Sequence, residues 1–324
     1  MTPGTADGAK PLITVGISTY NRVDGTFPEA LQSALAQDLD DFEVVVCDNA
    51  SEDGTRAFME RQRDPRLRYH RHETNIGANG NFNACLDLAR GDYFLLLHDD
   101  DVLEPGFLQR ALEAIGSRRP GVALGGVRHI DGAGMARRSV GAPPAGLGGA
   151  ELFEGWFRRR YSFYFCSTLF DSARLRDAGG FASPEDLFQD VVAIARLVAR
   201  AGYVSVPAIA GSFRRHEANR GGSSHALRWT RDAEYLLNLL AELFPDRAEE
   251  LRRLGAPYLA AKCYRYVAAV PSPLERWRLY REIDRRFDHA LPPWHYLPQQ
   301  LRMRFRKSLS KRWRRLSGPR STSG

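Results

Sequence analysis

Asp92-Tyr93-Phe94-Leu95-Leu96-Leu97-His98-Asp99-Asp100-Asp101 is the stretch on which the rest of the chain turns. Its apolar run has the length and composition of a buried strand, and it passes without a break into three carboxylates. A strand covered on both faces has no water for charged side chains. The acids therefore stand where the chain leaves the core, at the carboxyl edge of a sheet, the edge at which open α/β sheets bind ligands. Adjacent carboxylates repel one another, and a hard divalent cation sharing phosphate oxygens relieves that repulsion.

Upstream, the same pattern repeats. Leu12 to Tyr20 is β-branched and apolar and ends in Asn21-Arg22; Phe42 to Cys47 is a second buried strand and ends in Asp48-Asn49-Ala50-Ser51-Glu52-Asp53-Gly54-Thr55. Helical apolar spacing over Glu29–Gln37 separates them. Leu67–Arg71 is a short third strand, followed by the Asn- and Gly-rich segment Asn75–Asn83 and a helix to Ala89. Ser51 or Asp53 suits a helix N-cap, which accounts for them without function, but a cap does not explain Asp48 as the first residue off a buried strand. This βαβαβαβ series with polar strand ends predicts a parallel sheet with a nucleotide-type crevice. Neither GxGxxG nor GxxxxGK[ST] occurs, so dinucleotide and P-loop sites are excluded.

Taken together, Ile17–Arg22, Val44–Thr55, Asn75-Ile76-Gly77 and the triple-Asp strand resemble a family 2 glycosyltransferase of the GT-A fold over roughly residues 10–220. The resemblance implies an α/β fold with a mostly parallel central sheet flanked by helices, a nucleoside-diphosphate sugar donor such as a UDP-sugar, and Mg²⁺ or Mn²⁺. It also implies a contact from Asp48 to the base, a nucleotide pocket lined by Thr19, Tyr20, Asn21 and Arg22, and completion of that pocket by Asp53, Arg71, Asn75 and Asp99. Aligned through Leu103-Glu104-Pro105, Asp100 falls where the family binds its metal directly, with Asp101 beside it. The chain departs from the family pattern at His98, where an acid is expected; a second contact to the ribose or to the metal's ligands is the reading left open for it.

The second half supplies the chemistry. Pro105 to Arg118 has helical spacing, Val122–Val127 reads as a strand, and 131–149, rich in Gly, Ala and Pro, reads as a long loop at the acceptor side. After Gly179-Gly180-Phe181, the pair Gln189-Asp190 stands where the family carries Glu-Asp, which implies Asp190 as general base of an inverting transfer. Trp156, Asp186 and Gln189 are candidate acceptor contacts, with Glu185 and Asp186 as fallback bases. Arg214-Arg215-His216 resembles an Arg-x-His segment that meets the leaving diphosphate, with His216 also a candidate metal ligand. Glu217 to Ser224 reads as a closing loop.

Composition bounds the rest. The formal charge is +7, yet nine positive charges crowd residues 302–320, leaving −2 for the remainder. A near-neutral body argues against nucleic acid and for one local basic contact. In that tail Leu301, Phe305, Leu309 and Trp313 recur every four residues, the pattern of an interfacial helix on an anionic membrane, near a lipid-linked acceptor; sugar and small-molecule acceptors remain open. Cys47, Cys85, Cys166 and Cys263 form no CxxC pair and read as reduced structural thiols. With no apolar run long enough to span a bilayer, the expected location is the cytoplasm, at or near the inner membrane face. The expected organisation is a disordered leader (1–10), a catalytic domain (11–224, donor half 11–127 and acceptor half 128–224), a helical extension (225–297) and the basic tail (298–324). A non-catalytic nucleotide-sugar-binding protein is the first rival. A sugar nucleotidyltransferase is the second, disfavoured because Ser18–Arg22 lacks a glycine-rich loop.

Overall fold

The computed structural model describes residues 10–215 and 223–293. The leader, the 216–222 part of the closing-loop segment with His216, and the basic tail lie outside the described residues.

Nine strands form one sheet: β1 Ile13–Thr19, β2 Phe42–Asp48, β3 Leu67–Arg71, β4 Tyr93–His98, β5 Val102–Leu103, β6 Val122–Ile130, β7 Ala136–Val140, β8 Thr168–Asp171 and β9 Tyr203–Arg214. The order is β3-β2-β1-β4-β8-β6-β9-β5, with β7 on β6. The first four strands are all parallel. Register places Thr19 opposite Asp48, Asp48 opposite Arg71 and Ser18 opposite His98, so four predicted strand ends finish at one edge. The second half is mixed: β8 runs antiparallel to β4 and β6, β9 parallel to β6, and β5 antiparallel to β9. The sheet is thus wholly parallel only across β1 to β4. The 131–149 segment also differs from the expected loop, because β7 folds back on β6 and a helix opens at Gly149. β7 is a short outer strand with four exposed residues, so it lacks the apolar run that marks a buried strand.

Helices α1 Phe27–Leu35, α2 Thr55–Met59 and α3 Ala78–Leu88 connect the parallel strands. α4 Phe107–Ile115, α5 Gly149–Phe157, α6 Ser172–Asp177 and α7 Gln189–Ala201 belong to the mixed half. α1 buries Phe27, Ala30, Leu31 and Ala34, one face at helical spacing. β1, β2 and β4 are buried along nearly their whole length, which is why they read as continuous apolar runs. Gly16 in β1 has no room for a side chain: a Cβ there would lie 2.7 Å from the Phe94 ring and 2.9 Å from Cys85. All four cysteines are buried and free.

α8 Ser223–Leu243, α9 Ala248–Val267 and α10 Pro273–Arg286 follow. The chain divides into two units. One holds the sheet and takes in residues 235–254; the other comprises 219–234 and the chain from 255 onward. In the first, Phe244 packs on Phe153 at 6.0 Å, Arg158 pairs with Glu250 and Arg247 with Glu154. In the second, Leu259, Cys263, Tyr264, Tyr280 and Ile283 are buried, and Arg286 pairs with Glu234. No helix among the described residues is long and apolar enough to cross a membrane.

Candidate active site

The carboxyl edge of the parallel strands is built by loops tied to one another through side chains. Asp48 is fully buried. Its Oδ1 accepts from Ser51 N–H at 2.8 Å, its Oδ2 accepts from the Tyr69 hydroxyl at 2.6 Å, and Arg71 lies 3.6 Å from that oxygen. Within the chain Asp48 acts as a support, and its contact to a base stays an expectation of the resemblance. Asp48 holds the 48–51 turn and the Arg71 side chain, which in turn donates to Ser51 O at 3.1 Å. Asn21, at φ 52, donates its N–H to Ser51 Oγ and accepts from Glu52 N–H, so the β1 and β2 loops lock together. Asp53 accepts from Val23 N–H and from Thr55 N–H, bridging the same two loops. Burial opposes its charge, but bonds from Thr55 and Val23 outweigh that and hold its carboxyl below the usual range. Tyr20, Arg22 and Asn75 are exposed along this rim, and Thr19 is buried beneath it.

The acidic strand end sorts its three carboxylates. Asp99 Oδ2 accepts from Tyr20 N–H at 3.2 Å, and burial, with Asp100's charge adding, pushes its carboxyl up to about 6. Asp101 is 2% exposed and accepts from Arg214 N–H at 2.9 Å; burial and then Asp100's charge push it well above the usual range. One ligand atom each from His98, Asp100 and Asp101 lies within 4.8 Å of the others. His98, to which the sequence assigns no ligand role, therefore joins the cluster; its ring stacks on Phe82 at 4.9 Å and tilts against Phe165 at 5.2 Å. Two carboxylates and an imidazole within this span fit a divalent ion that takes both oxygen and nitrogen donors, Mn²⁺ better than Mg²⁺. Asp101, buried and bonded to the main chain, is the member least open to an ion.

Arg214 is 4% exposed. Its guanidinium donates to Asp100 O at 2.8 Å and to Glu29 Oε2 at 2.5 Å, joining the end of β9 to the acidic turn and to α1. Arg214 is thus held by the protein, and the expectation that it meets a diphosphate stays untested by these contacts. Arg215 is exposed at the end of β9 and remains available in position.

Sequence reasoning missed a row of asparagines. Asn49 binds Asn75 Oδ1, Gly77 O and Ile76 N–H, setting the 75–77 loop. On α3, Asn81 donates to Cys47 O and meets His72; Asn79 donates to Asp186 Oδ1 at 2.8 Å; Asn83 donates to Phe181 O and accepts Phe181 N–H at 2.8 Å. Gly180, at φ 67, sits so close that a Cβ would lie 2.4 Å from Asn83 Oδ1. One helix therefore ties the donor half to the segment that leads into α7. The signal was present: three asparagines at alternate positions within a helix, where they are poor formers, need another reason.

At the head of α7, Asp190 lies in the first turn, its Oδ1 accepting from Val191 N–H, and Gln189 is buried. Asp186, at φ 56, is exposed. Trp156, by contrast, is 4% exposed and packs against Phe157 and Phe163 at 5.1 and 5.6 Å. It is a core residue of α5, and the expectation of an acceptor contact there is withdrawn.

The profile of glycosyl transferase family 2 matches residues 14–175, half of the chain, from β1 through β8. The chain belongs to glycosyl transferase family 2. Among curated relatives, the succinoglycan biosynthesis protein ExoO of Rhizobium meliloti is 29% identical over 67% of this chain and 64% of its own length. An uncharacterized protein of Mycobacterium tuberculosis, MT1568, is 41% identical over 34% of this chain and 36% of its own. A GalNAc(5)-diNAcBac-PP-undecaprenol beta-1,3-glucosyltransferase of Campylobacter jejuni is 33% identical over 32% of this chain and 34% of its own. The chain thus spans between about a third and two-thirds of the length of these family members. Its fold is GT-A: TarS 1-349 of S. aureus, solved in complex with UDP-GlcNAc, aligns with TM-score 0.55 at 18% identity, covering 86% of this chain and 90% of that one.

Proposed function

We propose that this family 2 chain transfers a sugar from a nucleoside-diphosphate sugar to an acceptor hydroxyl, with inversion and with a divalent cation. The observation that carries the reading is the His98, Asp100 and Asp101 cluster at the carboxyl edge, beside an Asp99 bonded to the main chain of Tyr20. Mg²⁺ or Mn²⁺ held through Asp100, with His98 and His216 as further ligands, supplies positive charge for the departing diphosphate. Tyr20, Arg22 and Asn75 line the nucleotide; Asp48, Asp53, Asn49 and Arg71 hold the loops that place them. Arg215, and His216 by the family resemblance, are the candidates to meet the diphosphate, and Asp101 with Arg214 fixes the turn after β4.

Asp190 accepts the proton of the acceptor hydroxyl as that oxygen bonds to the anomeric carbon. The bond from this carbon to the diphosphate oxygen breaks, and the nucleoside diphosphate leaves. A carboxylate in the first turn of α7 keeps its charge through the helix dipole, and it serves as base once the hydroxyl comes within hydrogen-bond reach. Asp186 and Gln189 flank that point. The donor proposed is a UDP-sugar, by likeness to TarS with its bound UDP-GlcNAc. The acceptor proposed is lipid-linked, by likeness to the C. jejuni glucosyltransferase.

A thermal-shift screen of nucleotide sugars with Mn²⁺ tests the donor, since a tight ligand stabilises by mass action. Radiolabelled donor hydrolysis then separates enzyme from binder: equal inactivity of the wild type and Asp100→Ala across all donors would return the protein to the non-catalytic class.

A further inference from the structure

The amino edge of the parallel sheet carries a second concave surface, away from the strand ends that bear Asp100. Where β1 and β4 begin, α4 ends and α6 begins, there is a cavity of about 460 Å³. Its wall carries Lys10, Arg90, Arg118, Arg119 and Arg176 against two carboxylates, Asp92 and Asp171. Both acids are already paired, Asp92 with Lys10 and Asp171 with Arg174, and Arg90 is held by Glu43. Arg118 donates to Ala114 O and Arg176 to Leu86 O and Ala89 O, main-chain oxygens that carry no net charge. Arg119 is exposed and makes no ion pair among the described residues.

The helix ends do not cancel this excess. The last carbonyls of α4 are taken by Gly116 N–H, by Arg118 N–H and by the Arg118 side chain, and the first turn of α6 is capped by Asp171. A second, independent feature points into the same wall. Ser172 is 2% exposed, and its hydroxyl has no hydrogen-bond partner among the described residues. A buried hydroxyl left unmatched costs free energy that a ligand oxygen would recover. Leu112, Ile115 and Tyr93 add an apolar side to the cavity.

We propose that this basin binds a phosphate-bearing anion. Guanidinium forks match phosphate oxygens in geometry as well as charge, and the cavity falls within the roughly 300–1,000 Å³ of small-molecule sites. Phosphate chemistry of this kind is offered both by free phosphorylated metabolites and by phospholipid headgroups, and the experiment separates them.

The full-length protein is titrated calorimetrically with inorganic pyrophosphate in EDTA, so that any metal-dependent site is silent. The wild type binds. Arg119→Glu, at an exposed side chain, weakens binding by about tenfold or more at unchanged melting temperature and unchanged donor hydrolysis. Ser172→Ala weakens it several-fold with no change of charge. Sedimentation with phosphatidylglycerol and phosphatidylcholine vesicles is run alongside. Pelleting with the anionic vesicles that Arg119→Glu removes assigns a lipid headgroup; no such pelleting, with pyrophosphate bound, assigns a free phosphorylated ligand. No pyrophosphate binding by the wild type, or equal affinity in the wild type and Arg119→Glu, overturns the proposal.

Discussion

Glu43 and Asp101 lie at opposite edges of one sheet, both almost inaccessible to water, and the protein treats them in opposite ways. Glu43 opens β2 at the amino edge and is 3% exposed. It receives hydrogen bonds from Thr14 Oγ1 at 2.8 Å, from Arg90 N and Nε at 2.9 Å and from Arg68 at 3.0 Å. Burial alone would raise its carboxyl; the bonds from Arg90, Thr14 and Arg68 outweigh it, so the group sits below its usual range. At the carboxyl edge, burial also pushes Asp99 and Asp101 up, but each receives a main-chain N–H and has Asp100's charge beside it, and both stay raised. The Glu43 charge is matched from within the chain. The charge at the carboxyl edge is not, which is the condition for taking a cation and a diphosphate from outside.

The sharpest break of this contrast comes at the carboxyl edge. Asp190→Asn is expected to cut transfer by about 10²–10⁴-fold while donor binding, followed by thermal shift, is retained. Near-normal turnover would remove Asp190 as base. Asp100→Ala, or excess EDTA on the wild type, should lower donor turnover by about 10²–10³-fold. Metal titration of donor binding should flatten with it, and an unchanged titration would sink the metal assignment.

At the amino edge the same kind of change should damage stability and spare turnover. Glu43→Gln strands Arg68 and Arg90 over a buried amide and is expected to cost about 2–4 kcal/mol in urea unfolding. Turnover per folded molecule should stay at the wild-type value; a loss of turnover at full stability would erase the distinction between the edges. The sign of its pH dependence follows. Because Glu43's folded value is depressed, its contribution is fully present above the ordinary glutamate value of 4.5 and fades as pH falls through the lower folded value. Glu43→Gln should therefore flatten the acid limb of a stability–pH curve, and an unaltered limb would contradict the assignment.

Smaller effects test the parts that join the halves. Gly180→Ala forces a side chain at φ 67 against Asn83 and is expected to cost about 1–3 kcal/mol, seen as a lower urea midpoint. Trp156→Phe should lower stability by about 1–2 kcal/mol and leave the acceptor KM unchanged, as befits a core ring. A raised KM at unaltered stability would restore Trp156 to the acceptor site.

Much of this was legible along the chain, for a definite reason. A buried parallel strand is a contiguous apolar run, and the residue that ends it lies at the sheet edge whatever its neighbours do. Thr19, Asp48 and the 98–101 segment could thus be placed at the site from the one-dimensional pattern, and the family motifs pointed to the GT-A fold. The asparagines of α3 were visible but had no assigned purpose, because Asp186 and Phe181 lie about a hundred residues away. The same distance hid the pairing of Arg214 with Glu29, 185 residues apart.

By itself, the sequence determined the four parallel strands and their polar edge, since these follow from local periodicity and from where acids interrupt it. Only the tertiary structure decided which carboxylates at that edge are already satisfied. The charge of a buried group depends on donors delivered from distant strands and helices. Asp48 and Arg214 were shown as supports in this way, Trp156 as core, and His98 as a member of the acidic cluster at the end of the strand with which the chain was first read.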